Sequence, residues 1–151
     1  MARTLGLDVG TKTIGVAVSD EMGWTAQGVG TLPRRGGEAD LEALRRLARE
    51  WEADRIVIGL PRNMNGTLGP AATAVLEFAD RVKAGLGLPV VTWDERLSTV
   101  AAERTLREAD VSRRKRRQVV DTLAAVFILQ GYLDRQATQR AGRERPADEP
   151  D

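Results

Sequence analysis

Three acidic positions stand in surroundings that ordinary surface carboxylates lack: Asp8, the Asp94-Glu95 pair, and Asp121. In "LGLDVG" the residues Leu5, Leu7 and Val9 fall on one face of a period-2 strand, and Thr4, Gly6, Asp8 and Gly10 on the other. The next run repeats this, with Ile14, Val16 and Val18 opposed to Thr13, Gly15, Ala17 and Ser19. Two adjacent strands thus share a face of small residues around one acid, which reads as room for a metal ion and a phosphate. Asp is also common where a strand meets a turn, so the alternation alone leaves both roles open.

Asp94 and Glu95 follow a short apolar strand, residues 89–93. In open α/β sheets, ligands gather outside the carboxyl ends of strands. An extended chain points the two acids in opposite directions, and Arg96 comes next, so one is expected in an ion pair and the other in the site. Spacing leaves open which. Asp121 shares a helical stripe with Ala124, Ala125 and Ile128, which turns it toward an apolar, inward face. Converging carboxylates repel one another, and bound divalent cations relieve that repulsion. Two ions about 3.5–4 Å apart polarise a phosphodiester, activate water and stabilise the leaving oxygen. The chain has no histidine and no cysteine, which excludes an imidazole base, a Ser-His-Asp triad, a thiol nucleophile and a thiolate zinc site. Hard oxygen donors point instead to Mg²⁺ or Mn²⁺.

Total charge says little about partners, since 23 basic and 22 acidic residues nearly cancel. Their distribution says more. "SRRKRRQ" sets Arg113, Arg114, Lys115, Arg116 and Arg117 side by side without an acid, the form of a polyanion contact, although charge runs are also common on solvated helix starts.

The elements that must position these groups follow from hydrophobic period. After the hairpin comes a third strand over residues 24–32, then an amphipathic helix over 38–52. A continuously apolar strand over 55–60 leads into the loop "PRNMNGTLGP" and a helix carrying Ala71, Val75, Phe78, Ala79 and Val82. The strand at 89–93, a helix at 99–109 and a last helix at 114–135 complete the order β-β-β-α-β-α-β-α-α, an α/β fold with a mixed sheet and helices on both faces. A chain of 151 residues, 42% hydrophobic and 30% charged, suits one globular domain, here residues 1–136. Residues 137–151 lack apolar anchors and read as a disordered tail. No apolar run spans a membrane and no leader precedes the first strand, so a cytoplasmic, non-membrane protein is expected, as a monomer or homodimer.

Four segments, "LGLDVGTKTIGVAVSD", "IVIGLPRNMNGTLGP", "WDERLST" and "VVDTLAAVFILQGYL", resemble in order the motifs of the YqgF/RuvX family of RNase H-like proteins. The resemblance implies an RNase H-like, five-stranded mixed sheet. It places the family's acidic, metal-binding and catalytic triad on Asp8, Glu95 and Asp121. It makes Lys12, Asn63 and Gly66 candidate substrate contacts beside the basic run. Thr13 stands where arginine is commoner, and Ser98 replaces a commoner threonine. The family is associated with maturation of precursor 16S ribosomal RNA and with Holliday-junction resolution. Gln118 stands one turn before Asp121, where related junction resolvases carry a further catalytic side chain, so RNA processing takes precedence over cleavage of branched DNA.

Two other classes compete. The sugar-kinase and actin-like ATPases share a D-x-G-T hairpin but need two lobes, and 151 residues supply one. A non-catalytic nucleic-acid binder has no use for an inward acid. With three Trp, two Phe and one Tyr, mostly at apolar-patterned positions, no aromatic stacking platform is expected.

Overall fold

The computed structural model describes residues 3–97 and 113–144, and within these ranges the side chains of 97, 113–121, 143 and 144 are outside the description. The first strand, β1 (Arg3–Val9), pairs antiparallel with β2 (Thr13–Ser19), setting Asp8 opposite Gly15. The third strand, β3 (Ala26–Pro33), starts later than the sequence pattern puts it. The Asp20 carboxylate accepts the backbone N–H of Trp24 at 2.7 Å and of Thr25 at 3.2 Å, which holds those residues in the turn. Two further strands, β4 (Ala53–Leu60) and β5 (Val90–Asp94), run parallel to β1, giving a five-stranded mixed sheet of order β3-β2-β1-β4-β5.

Helices α1 (Gly37–Glu50) and α2 (Pro70–Leu86) cover one face, burying Leu5, Leu7, Ile14, Val16, Ile56 and Ile58. The first helix stops short of residue 52 because Glu52 takes a left-handed φ of 55° and its carbonyl receives the N–H of Arg3. In α2 the buried stripe runs through Ala72, Val75, Phe78, Ala79 and Val82, and Ala71 is exposed. With Pro70 as the first helical residue, Ala72 rather than Ala71 lies three residues before Val75 on the core side.

The other face carries one long helix, α3 (Arg113–Glu144), which buries Ala124, Ala125, Ile128, Leu129, Tyr132 and Leu133 against Ala17 and Val57. Its seat is a row of small residues across the sheet, Gly28 opposite Ala17, and Ala17 opposite Gly6. A Cβ on Gly28 would stand 2.6 Å from Thr122 Cγ2, and one on Gly6 2.6 Å from Leu129 Cβ and 3.2 Å from the Ala125 carbonyl oxygen. A Cβ on Gly59 would meet Ile128 Cδ1, and Gly131 in turn lies against the Trp93 ring. The small residues beside Asp8 are therefore only in part the open space that the sequence pattern implies. At Gly6, helix α3 fills it.

Of the segment 137–151 expected as a disordered tail, residues 137–144 are helical and 145–151 lie outside the described residues. Gln130 donates to the Trp24 carbonyl and accepts from the Ala26 N–H, each at 2.9 Å, and Arg140 lies 5.0 Å over the Trp24 ring. These polar and cation–π contacts dock the helix end on the β2–β3 turn without apolar side chains, the signal on which the sequence reading relied. The helix expected at 99–109 and Ser98 lie outside the described residues.

The seat is testable. Gly6→Ala should destabilise the protein by about 1–3 kcal/mol in urea unfolding, the usual cost of overpacking, and Leu129→Ala in the same chain should recover part of that loss.

Candidate active site

Asp8 is the penultimate residue of β1 and shares the α3 face with Gly6. The parallel register sets Leu7 opposite Ile58, so the next position of β1 lies beside Gly59. Glu95 opens a short 3₁₀ turn (Glu95–Leu97) directly after β5, and its Oε1 lies 3.0 Å from where a Gly59 Cβ would be. Both acids, half-buried, therefore reach the α3 side of the sheet at the carboxyl ends of parallel strands, with Gly59 between them making room for the Glu95 carboxylate. Asp121 has helical backbone one turn before Ala125, whose carbonyl lies over Gly6. The side chains of Asp121 and of Arg113, Arg114, Lys115, Arg116 and Arg117 lie outside the described residues, and among the described residues no three His, Cys, Asp or Glu side chains gather.

The Asp94-Glu95 ambiguity resolves by geometry. Arg96 donates to Asp94 from Nη2 at 2.7 Å, from Nε at 3.1 Å and from its backbone N–H at 3.0 Å, and Arg62 Nε lies 3.8 Å away. The Arg96 hydrogen bonds, outweighing burial and helped by the charges of Arg96 and Arg62, lower the Asp94 pKa below the ordinary carboxylate value. Asp94 is thus the structural acid, and Glu95 is the one that reaches over Gly59.

Two guanidinium clamps hold the loops around these acids. Arg34 donates to the Gly10 carbonyl, and its backbone N–H to that of Lys12, each at 2.8 Å. Its Nε is 2.9 Å from Asp40 Oδ2, and the guanidinium lies 4.8 Å over the Phe78 ring. The β1–β2 turn, with Lys12 exposed at its tip, is in this way tied to both α1 and α2. On the other side Arg96 donates to the Met64 carbonyl at 3.4 Å and packs on Gly66, where a Cβ would be 3.3 Å from its Nη1. The loop of residues 61–69 is also braced from within. Asn63 Nδ2 donates to Thr67 Oγ1 at 3.0 Å, the Gly66 N–H to the Asn63 carbonyl at 2.8 Å, and Gly66 adopts a φ of 87° that favours glycine. Asn63 and Gly66 accordingly shape the loop beside Glu95.

With this geometry in view, comparison with known proteins is decisive. A family model described as "RuvX: Holliday junction resolvase" matches residues 2–135. The chain belongs to the RuvX family. It is similar, at 63% identity over 133 residues, to a Moorella thermoacetica protein named "Putative pre-16S rRNA nuclease", a match covering 88% of this chain and 95% of that one. A Clostridioides difficile (strain 630) protein of the same name is 63% identical over 132 residues, covering 87% and 94%. Among solved structures, T. thermophilus RuvC in complex with Holliday junction substrate is similar at a TM-score of 0.55 and 11% identity, over 91% of this chain and 98% of that chain. That likeness concerns the fold, which in this RuvX chain is the RNase H-like one its motifs imply.

The sequence pattern anticipated an ion pair of Arg96 with one of the adjacent acids, and missed the Arg34 clamp, the reach of Arg96 to the loop of residues 61–69 and the exposure of Trp24. The one available signal was Asp40 in the first turn of a helix that two arginines precede, in "PRRGGEAD". Among the described residues of the RuvX chain no helix is long and apolar enough to cross a membrane.

The Arg34–Asp40 clamp carries a pH signature. Burial opposes ionisation of Asp40, but the N–H groups of Arg35 and Gly36 and the Arg34 guanidinium outweigh it, so its pKa lies below the ordinary 3.8. A lowered folded value means that the stabilisation is complete above the unfolded value and disappears as pH falls through the folded one. Asp40→Asn should therefore flatten the acid limb of a stability-versus-pH curve below about pH 4. A limb identical to wild type would show that Asp40 does not carry it.

Proposed function

We propose that this RuvX chain is a divalent-metal-dependent nuclease that hydrolyses phosphodiester bonds, with precursor 16S ribosomal RNA as substrate. The observation that carries the proposal is the placement of Asp8, by register, beside Gly59 and of the Glu95 carboxylate over Gly59, two acids remote in sequence on the α3 side of the sheet. Carboxylates kept for solubility have no reason to lie half-buried on the helix-covered face of a sheet. The names of the relatives supply the substrate class.

Carboxylate oxygens at the carboxyl ends of β1 and β5 fit a hard divalent cation, and Asp8, Glu95 and Asp121 would hold it. Mg²⁺ or Mn²⁺, bound as two ions, would supply the Lewis acidity that activates water and stabilises the leaving oxygen. The protein's own groups bind and orient. Lys12, at the tip of the clamped β1–β2 turn, offers a point charge to a phosphate. Asn63 and Gly66 keep the loop of residues 61–69 in shape. Arg113, Arg114, Lys115, Arg116 and Arg117, at the start of α3, neutralise backbone phosphates away from the cut.

Cleavage of four-way DNA is the second reading, favoured by the family model's description. It entails a homodimer, since two strands must be cut symmetrically. A side-by-side assay on precursor 16S RNA, generic single-stranded RNA and a four-way DNA junction separates the readings. With Mg²⁺ or Mn²⁺ the wild type should cut precursor RNA preferentially. Asp8→Asn should lower the rate by at least about 100-fold, as expected when a metal-binding carboxylate is removed. Equal cleavage by both proteins would sink the assignment, and tight ATP binding without cleavage would move it to the kinase-like class.

Triple replacement Arg113→Gln, Arg114→Gln and Arg116→Gln should reduce the slope of log affinity against log salt by about 0.7 for each phosphate of a single strand that the variant no longer neutralises. Circular dichroism should be unchanged, and an unaltered slope would leave the basic run as solvated surface.

A further inference from the structure

Among the described residues four large apolar side chains are exposed: Met22, Trp24, Met64 and Leu68. Met22 and Trp24 belong to the β2–β3 turn at the end of the sheet away from Asp8, and the Arg140 guanidinium covers the Trp24 ring. Met64 and Leu68 lie on the loop of residues 61–69, beside Glu95, and Met64 is 91% exposed. A flexible loop would fold a methionine back onto the protein. This loop is held by bonds from the Asn63 N–H to the Thr67 carbonyl at 3.0 Å and from the Thr67 N–H to Asn65 Oδ1 at 3.1 Å. The Arg96 bond to the Met64 carbonyl ties that peptide to the residue next to Glu95. At the base of the loop, the guanidinium groups of Arg62 and Arg96 both lie against the carboxylate of Asp94.

We infer that Met64 is a wedge that enters the base stack of the RNA next to the scissile phosphate, a role that rests on the nuclease reading above. The chemistry fits a nucleobase. A thioether is polarizable and makes favourable contacts with aromatic rings, and apolar side chains inserted between bases separate the stacked planes and kink the strand. The Arg62 and Arg96 guanidinium groups at the base of the loop offer donors to the flanking phosphates, and Leu68, 46% exposed on the same loop, broadens the apolar surface. Opening the stack swings the intervening phosphate outward, toward Asp8 and Glu95. The substrate class is accordingly RNA whose bases are stacked at the cleavage point, as in a paired stem or a stem end, in preference to relaxed single strand.

The test uses Asp8→Asn as parent, so that RNA is bound and left uncut, and a hairpin RNA carrying 2-aminopurine at one position at a time around the wild-type cleavage point. Binding by the parent should raise emission about two-fold at one step, the signature of local unstacking. Adding Met64→Ala should abolish that rise while binding, read by anisotropy, persists, and Met64→Leu should restore it. In an otherwise wild-type chain, Met64→Ala should slow cleavage of the hairpin about ten-fold more than it slows cleavage of unpaired RNA, the asymmetry expected if a stacked step has to be opened. If the parent binds without any rise, or Met64→Ala retains it, the wedge is wrong and the nuclease reading stands. If wild type and parent bind no RNA at all, the nuclease reading falls and takes the wedge with it.

Discussion

The close approach of α3 to the sheet is the constraint on which the rest depends. A helix normally rides about 10 Å from a sheet, separated by side chains of both. Here Gly28, Ala17 and Gly6 remove the sheet's contribution along one row, and the helix sinks into it with Thr122, Ala125 and Leu129 in the gap. The N-terminal half of α3, which carries the basic run and Asp121, is positioned by that seat.

Small residues along this face do two jobs that look alike in one dimension. Gly6 is empty so that a helix can fill it. Gly59, one strand over and nearer the carboxyl ends, admits both Ile128 and the Glu95 carboxylate. Gly66 serves a third purpose, since its φ of 87° closes the loop next to Arg96. One residue type thus marks helix seat, site and turn.

Around the acids, the protein spends its arginines on its own architecture. Arg34 grips the carbonyls of Gly10 and Lys12, and Arg96 grips Asp94 and Met64. Each guanidinium is itself held by a carboxylate, Asp40 or Asp94, whose pKa the pairing helps to lower. Loops at the carboxyl ends of strands are usually the mobile part of an α/β fold. Here two loops are immobilised from beneath, which preorganises the surroundings of Asp8 and Glu95.

Local patterning by itself determined the strand and helix types, the mixed sheet with helices on both faces, and the list of acids worth watching. Each of these depends on period-2 or period-3.6 burial, which is written in neighbouring residues. It misplaced the start of β3 and ran the first helix past Glu50, because a side-chain cap from Asp20 and a left-handed Glu52 decide those ends. It ended the last helix at Arg135, because polar docking of Gln130 and Arg140 leaves no hydrophobic period. Spacing left Asp94 and Glu95 undivided and the motif resemblance favoured Glu95; the tertiary structure added the physical reason, since Asp94 is held by Arg96 and Arg62 while Glu95 reaches over Gly59. Only the tertiary structure showed which glycines are empty for a helix and which for a carboxylate, because the atom that fills each gap comes from a distant part of the chain.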